Sequence, residues 1–247
     1  MKKTLFVATM LAMVLTLSAQ RQMYVWQDGV KTTYELVNVD SITFSKVENL
    51  DPETGNHEYV DLGLSVKWAT CNVGATKPEE LGDYFAWGET QRKSTYDWNT
   101  YQWCNGSEYS LTKYNTDSNH GTVDNKIVLE LSDDVAHVNW GGSWRMPTDA
   151  ELTELRENCT WTWTSLNGMN GHEVTSKKNG KSIFLPAAGD HQASPLNALV
   201  GNIGHYWSSS LRTDEPHRAW VLSFYPDGVF RSHLVRLFGC SVRPVCQ

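Results

Sequence analysis

The sequence predicts an α+β protein of short antiparallel strands, one or two helices and long loops, preceded by a small β unit. Three observations carry that expectation. Short runs of alternating apolar and polar residues lie near both ends of the 247-residue chain, one internal segment bears a helix-capping pattern, and no period of 20 to 50 residues recurs that would signal a solenoid or propeller.

Taken in order, Met23-Tyr24-Val25-Trp26, a turn at Gln27-Asp28-Gly29, Thr32 to Val37 and Ser41-Ile42-Thr43-Phe44 read as strands of an N-terminal unit over residues 20–48. Residues 49–56 collect turn formers with little apolar content, which predicts a linker and places the main domain at 57–247. Tyr59 to Asn72 alternates as a strand, and Lys77-Pro78-Glu79-Glu80-Leu81 could open a short helical turn. Tyr84 to His120 is polar, aromatic and loop-rich, while Asn125 to Leu131 is a second helical candidate. The clearest helix runs from about Asp149 to Asn158. There Thr148 and Glu151 form a Thr-x-x-Glu capping box after Pro147, and Leu152 and Leu155 share one face. Strand-like runs follow at Ser182 to Pro186, His205 to Ser208, Ala219 to Phe224 and Cys240 to Val245.

Residues 1–19 have the order of a secretory signal: Lys2-Lys3, an apolar run from Leu5 to Leu17, then Ser18-Ala19. Cleavage after Ala19 is expected, giving an exported protein of the periplasm, cell surface or extracellular space with no integral membrane span. Removal of Lys2 and Lys3 leaves 19 basic against 28 acidic residues, a charge of −9. Such an acidic chain is no general nucleic-acid binder, because phosphate neutralisation needs a basic surplus. Hydrophobic residues make up 40% of the chain, enough for a sizeable core. Cys71, Cys104, Cys159, Cys240 and Cys246 are an odd set, open to one or two disulfides or to buried thiols, and their spacing fits no zinc motif.

The common catalytic and phosphate-binding motifs GxSxG, HExxH, GxxxxGK[ST] and GxGxxG are missing. Ser208-Ser209-Ser210 lies near His205 in sequence, but a triad is a matter of geometry. Glu151, Glu154 and Glu157 read as the solvated face of a helix. The expectation is therefore a protein without catalytic residues, cofactor or metal. Eleven Trp stand out. Exposed indoles would suit stacking on sugar rings, and buried ones would fill the core; core filling is the favoured reading.

Several runs together carry a family resemblance: Tyr59-Val60-Asp61-Leu62-Gly63-Leu64, Lys67 to Ala75 (KWATCNVGA), Gly82 to Glu89 (GDYFAWGE), Trp140 to Thr148 (WGGSWRMPT), Phe184 to Gly189 (FLPAAG), Tyr206-Trp207-Ser208-Ser209-Ser210 and Ser241-Val242-Arg243-Pro244-Val245. Over roughly residues 57–247 the chain resembles the Fibrobacter succinogenes major paralogous domain. The resemblance implies a C-type-lectin-like fold, shared with formylglycine-generating enzymes and with variable proteins of diversity-generating retroelements, and no established enzymatic activity. In calcium-dependent lectins a Glu-Pro-Asn loop and a Trp-Asn-Asp segment hold the ion. Here Glu215-Pro216-His217 and His233-Leu234-Val235 stand in those rough places, and imidazole and aliphatic groups are poor calcium ligands. A formylglycine-generating-like catalyst, the second alternative, would need paired Cys where only Cys159 is found.

The last segment points to a binding face. Retroelement diversification acts on adenines, typically in AAC codons, and an NNC codon cannot encode Lys, Glu, Gln, Met or Trp. None of these five occurs in the 26 residues Val221 to Cys246, where about five are expected at ordinary usage. NNC-encodable Val221, Ser223, Tyr225, Phe230, Arg231, Ser232, His233, Leu237, Phe238 and Cys240 alternate with framework-like Trp220, Leu222, Phe224, Arg236 and Gly239. A β-rich terminus that simply avoids Lys and Glu would look similar. The expected contact set is His205, Leu211, Arg212, His217, Arg218, Val221, Ser223, Tyr225, Phe230, Arg231, His233, Leu237 and Phe238. From His205 onward five Arg face three acids in the count, a local +2, which tilts the expected protein or glycan ligand slightly toward an anionic one; Arg243, in Val-Arg-Pro, reads as structural. The alternative is an invariant structural or adhesive surface module.

Overall fold

The computed structural model describes residues 22–27, 30–35, 57–192 and 199–247. The predicted signal and its cleavage point, the Ser41–Phe44 strand and the 49–56 linker lie outside them. The chain divides into two compact units, Met1–Glu48 and Asn49–Gln247.

In the first unit, β1 (Gln22–Gln27) and β2 (Val30–Glu35) pair antiparallel, Gln27 opposite Val30 and Gln22 opposite Glu35. This is the hairpin that the Asp28-Gly29 turn signal implies.

The described residues of the second unit are α+β, with three small antiparallel sheets and two α-helices. β3 (Tyr59–Val60) and β4 (Lys67–Ala69) form one sheet with β11 (Val245–Cys246), in which β4 lies between the first and last strands of the unit. β5 (Cys159–Leu166), β6 (Met169–Ser176) and β7 (Ser182–Pro186) form a meander. β8 (Gly204–Leu211), β9 (Arg218–Tyr225) and β10 (Gly228–Val235) form the third sheet, with β10 at its edge. The stretch from Tyr84 to His120 is loop-rich, with isolated bridges and one turn of 3-10 helix at Ser118–His120.

α2 spans Asp149–Asn158, and Thr148 and Glu151 make both halves of the capping box. Two other helical expectations are corrected. Asn125 to Leu131 is not helical, because Asn125 adopts φ 56 and Val128 is bridged to Ser210 of β8. Lys77 to Leu81 closes only as a turn, with the Glu80 carboxylate accepting from the Thr76 and Lys77 amides. The helix α1 (Val135–Trp140) was not expected; Asp134 caps it by accepting from the Ala136 and His137 amides. The β5–β6 hairpin was not expected either, although Asn167 and Gly168, both at positive φ, are the pair a type I′ turn demands.

β8 and the middle of β9 are buried on both faces. Tyr206, Leu222 and Phe224 point into a core with Leu152 and Leu155 of α2, Trp68, Val174 and Val245. Trp207, Leu211, Ala219 and Val221 point into a second core with Phe85, Trp87, Tyr114 and Met146. Two arginines are buried between elements. Arg236 donates to the Tyr101 hydroxyl and to the carbonyls of Lys113, Tyr114 and Pro216, with its guanidinium 4.9 Å from the Trp87 ring centre. Arg243 donates to Asn72 Oδ1 and to the carbonyls of Ala69 and Phe184. Oxygen acceptors thus disperse both charges, as a buried guanidinium requires. Trp68, Trp87, Trp144 and Trp207 are buried, and the six other described Trp side chains of the second unit are half-buried, so the indoles serve mainly as core. Cys71, Cys104, Cys159 and Cys240 are free thiols, and burial raises the pKa of Cys71, Cys159 and Cys240. Among the described residues no helix is long and apolar enough to cross a membrane.

Candidate functional site

The face of β9 that carries Trp220, Leu222 and Phe224 also carries Val229, Arg231 and His233 of β10, because directly opposed residues share a side of the sheet. α2 covers this face over Leu222 and stops at Asp149. Beyond its N-terminus Trp220 is left half-buried, and polar side chains gather around it.

Arg231 lies flat on the indole, its guanidinium carbon 3.3 Å from the ring centre, and donates to both Asp149 oxygens at 2.8–3.1 Å. Arg212 approaches the same ring at 5.7 Å and is held by Asp214 at 3.0 Å and Glu215 at 2.9 Å. His233 meets the indole edge-on at 5.9 Å. Arg218 links this group to its neighbour. It donates to His233 Nδ1 at 3.3 Å and to His217 Nε2 at 3.2 Å, and lies 3.4 Å from Glu215. A guanidinium only donates, so both ring nitrogens accept and both imidazoles are neutral in this arrangement. Burial first, then nearby cations, hold the His233 pKa below its ordinary value; burial likewise lowers that of His217, against the pull of Glu108.

His217 extends the patch into a distant part of the chain. Its ring stacks on His120 at 5.0 Å, and His120 stacks on Tyr109 at 5.5 Å, with interplanar angles of 17° and 18°. Tyr109 is 66% exposed and ends the stack at the surface. The result is a band of flat side chains and paired charges from Tyr109 through His217, Arg218 and His233 to Trp220 and Arg231. It offers stacking faces and hydrogen-bond donors.

The expected contact set divides accordingly. Arg212, His217, Arg218, Arg231 and His233 come together in the band. Tyr225 and Phe230 pack edge-on at 6.0 Å at the far end of the hairpin. Phe238 is half-buried against the second core. His205, Leu211, Val221, Ser223 and Leu237 are buried, which corrects their assignment to a surface. The reason is that β8 and the middle of β9 are covered on both faces, so alternation there separates two cores rather than core from solvent, while Leu237, beyond β10, packs with Tyr84, Tyr96 and Tyr101. Cys240, also among the interleaved positions, is fully buried. The local positive surplus is corrected too. Arg236 and Arg243 are buried, and Arg212, Arg218 and Arg231 face Asp149, Asp214 and Glu215, so among the described residues this face carries no net positive surplus.

Sequence reasoning missed Trp220 as a surface residue, Asp149 as a partner of Arg231, and Glu108, Tyr109 and His120 altogether. The C-terminal pattern holds a signal for Trp220. The loop residues carry none, since nothing local tells that residue 120 stacks on residue 217.

His205 does not meet Ser208, Ser209 or Ser210. Its Nδ1 is hydrogen-bonded to Ser223 Oγ at 2.8 Å, and its Nε2 lies 3.6 Å from Asp190. All three side chains are buried. Among the described residues no group of three His, Cys, Asp or Glu converges as metal ligands. No family model matches the chain, and no curated protein or solved structure matches it significantly.

Proposed function

We propose that this chain is an exported, non-catalytic ligand-binding protein whose domain from about residue 57 has a C-type-lectin-like fold, as its resemblance to the Fibrobacter succinogenes major paralogous domain implies. The sheet that joins the last strand, β11, to the early strands β4 and β3, and the helices preceding the β8–β9–β10 sheet, support that reading. The single observation that carries the binding function is the band around Trp220. Arg212, Arg218, Arg231 and His233 lie on one surface, held by ion pairs and stacking on a frame fixed by Arg236 and Arg243. A pre-ordered set of flat and hydrogen-bonding groups lowers the entropy cost of binding.

The ligand is a protein or glycan presented outside the cell. The test is to pass the purified chain over immobilised glycans and over proteins from the outer surface of its own and neighbouring cells, with Trp220→Ala and His233→Ala as paired variants. Binding to one ligand class that falls at least tenfold in both variants supports the assignment. Binding that is indifferent to both replacements removes the band as the site.

One observation favours a fixed surface over a diversified one. Val221, Ser223, Leu237 and Cys240 are core residues, and random replacement there would cost stability. Diversification could act only on Tyr225, Phe230, Arg231, Ser232, His233 and Phe238. Deep sequencing of the gene in a population grown from one cell decides between them. Adenine-directed changes confined to those six codons mark a variable binder, whereas a uniform sequence without a nearby template repeat marks an invariant module.

A further inference from the structure

β10 is an edge strand of eight residues, Gly-Val-Phe-Arg-Ser-His-Leu-Val, paired on one side with β9 and, among the described residues, with no strand on the other. Such an edge carries a row of backbone donors and acceptors matched only by another extended strand, and proteins ordinarily protect it with Lys, Pro, inward charges or a bulge. β10 has none of these. It contains no Lys, Glu, Asp or Pro, its register with β9 is unbroken over all eight residues, and its one charge, Arg231, is drawn to Asp149. No residue of the strand is buried, and Phe230 is 52% exposed.

We infer that two copies of this chain join their sheets edge to edge through β10, forming a two-fold dimer with a continuous six-stranded sheet. The occupant is a second copy because the strand complements itself. In antiparallel pairing centred on Ser232, Ser232 faces its own copy, Arg231 faces His233, Phe230 faces Leu234 and Val229 faces Val235, so no like charges meet and apolar side chains oppose one another. An antiparallel pair within a sheet is related by an axis perpendicular to it. The Trp220 bands of the two copies therefore lie on the same side of the joined sheet. This goes beyond the binding reading and adds to it: a ligand with repeated epitopes would be held at two points, with the gain in avidity that follows from a short, rigid spacing.

The test is the mass of the full mature chain by sedimentation across a concentration series, together with backbone hydrogen exchange of residues 228–235. The expected result is a mass moving from one chain to two as concentration rises, with exchange in 228–235 slowing at least tenfold over the same range. The variant Phe230→Lys/Ser232→Lys should remain a single chain throughout while keeping the aromatic circular dichroism of the folded protein. A single-chain mass up to the solubility limit overturns the inference. So does a two-chain mass in which exchange of 228–235 is independent of concentration, a result that does not depend on any variant folding. Loss of ligand binding in Trp220→Ala with dimerisation intact would bear on the binding band alone.

Discussion

Arg231 stacks on Trp220 at 3.3 Å while its nitrogens grip Asp149 at the first turn of α2. One side chain thus ties the edge strand β10 to the indole and to the helix. A double-mutant cycle with Arg231→Ala and Trp220→Ala, read by urea unfolding, should give a coupling of about 0.5–1 kcal/mol, the range of partly exposed cation–π contacts. Arg231→Lys should not restore it, because an ammonium neither lies flat on the ring nor bridges both Asp149 oxygens. Additive single effects would show that the stack contributes nothing.

Arg236 should be among the least replaceable side chains. Arg236→Met removes four donated hydrogen bonds, leaving the carbonyls of Lys113, Tyr114 and Pro216 short of a donor and the Tyr101 hydroxyl with only its bond to the Trp87 carbonyl. A loss of about 3 kcal/mol or more is expected, and Arg236→Lys should recover little of it. A midpoint in urea that barely moves would contradict the bonding described.

Gly204 is required for space rather than for backbone freedom. A Cβ there would fall 2.1 Å from the Phe224 ring, so Gly204→Ala should cost about 2–3 kcal/mol by overpacking. Adding Phe224→Leu should return part of that loss in the double variant. If the double variant is merely the sum of two penalties, the clash is not the cause.

Stability should fall as pH drops from 7 toward 5. Burial holds His57, His172, His191, His205, His217 and His233 below their ordinary pKa. The unfolded chain takes up protons near pH 6.5 and the folded chain only at lower pH, so the stabilisation is complete above 6.5 and is lost on acidification. Urea midpoints at pH 5, 6, 7 and 8 test this, and a flat profile over that interval would rule it out.

What could be read from the sequence was what is decided locally. α2 matches its expected limits because a capping box and a two-leucine face are properties of ten consecutive residues. The helix expected at Asn125 to Leu131 fails because Val128 answers to Ser210, far along the chain, and α1 escaped notice because one turn capped by Asp134 has little periodicity to show. The β5–β6 hairpin was legible from Asn167-Gly168, and the two tryptophans before it drew attention to composition instead of alternation. For the candidate site, the tail that holds it could be located, but not which side of β9 meets solvent. That is settled by α2 on one face and the loops around Trp87 on the other. The Tyr109–His120–His217 stack depends wholly on tertiary placement.

The pairing of β11 with β4, together with the grip of Arg243 on Ala69 and Asn72, reaches across more than 170 positions. Val245 belongs to one of the two cores and Val242 to the other, so each core draws on the last strand region as well as on residues far earlier in the chain. Until residues 242–246 are in place, each of the two cores lacks part of its wall, so the two ends of the domain must meet before its packing is complete.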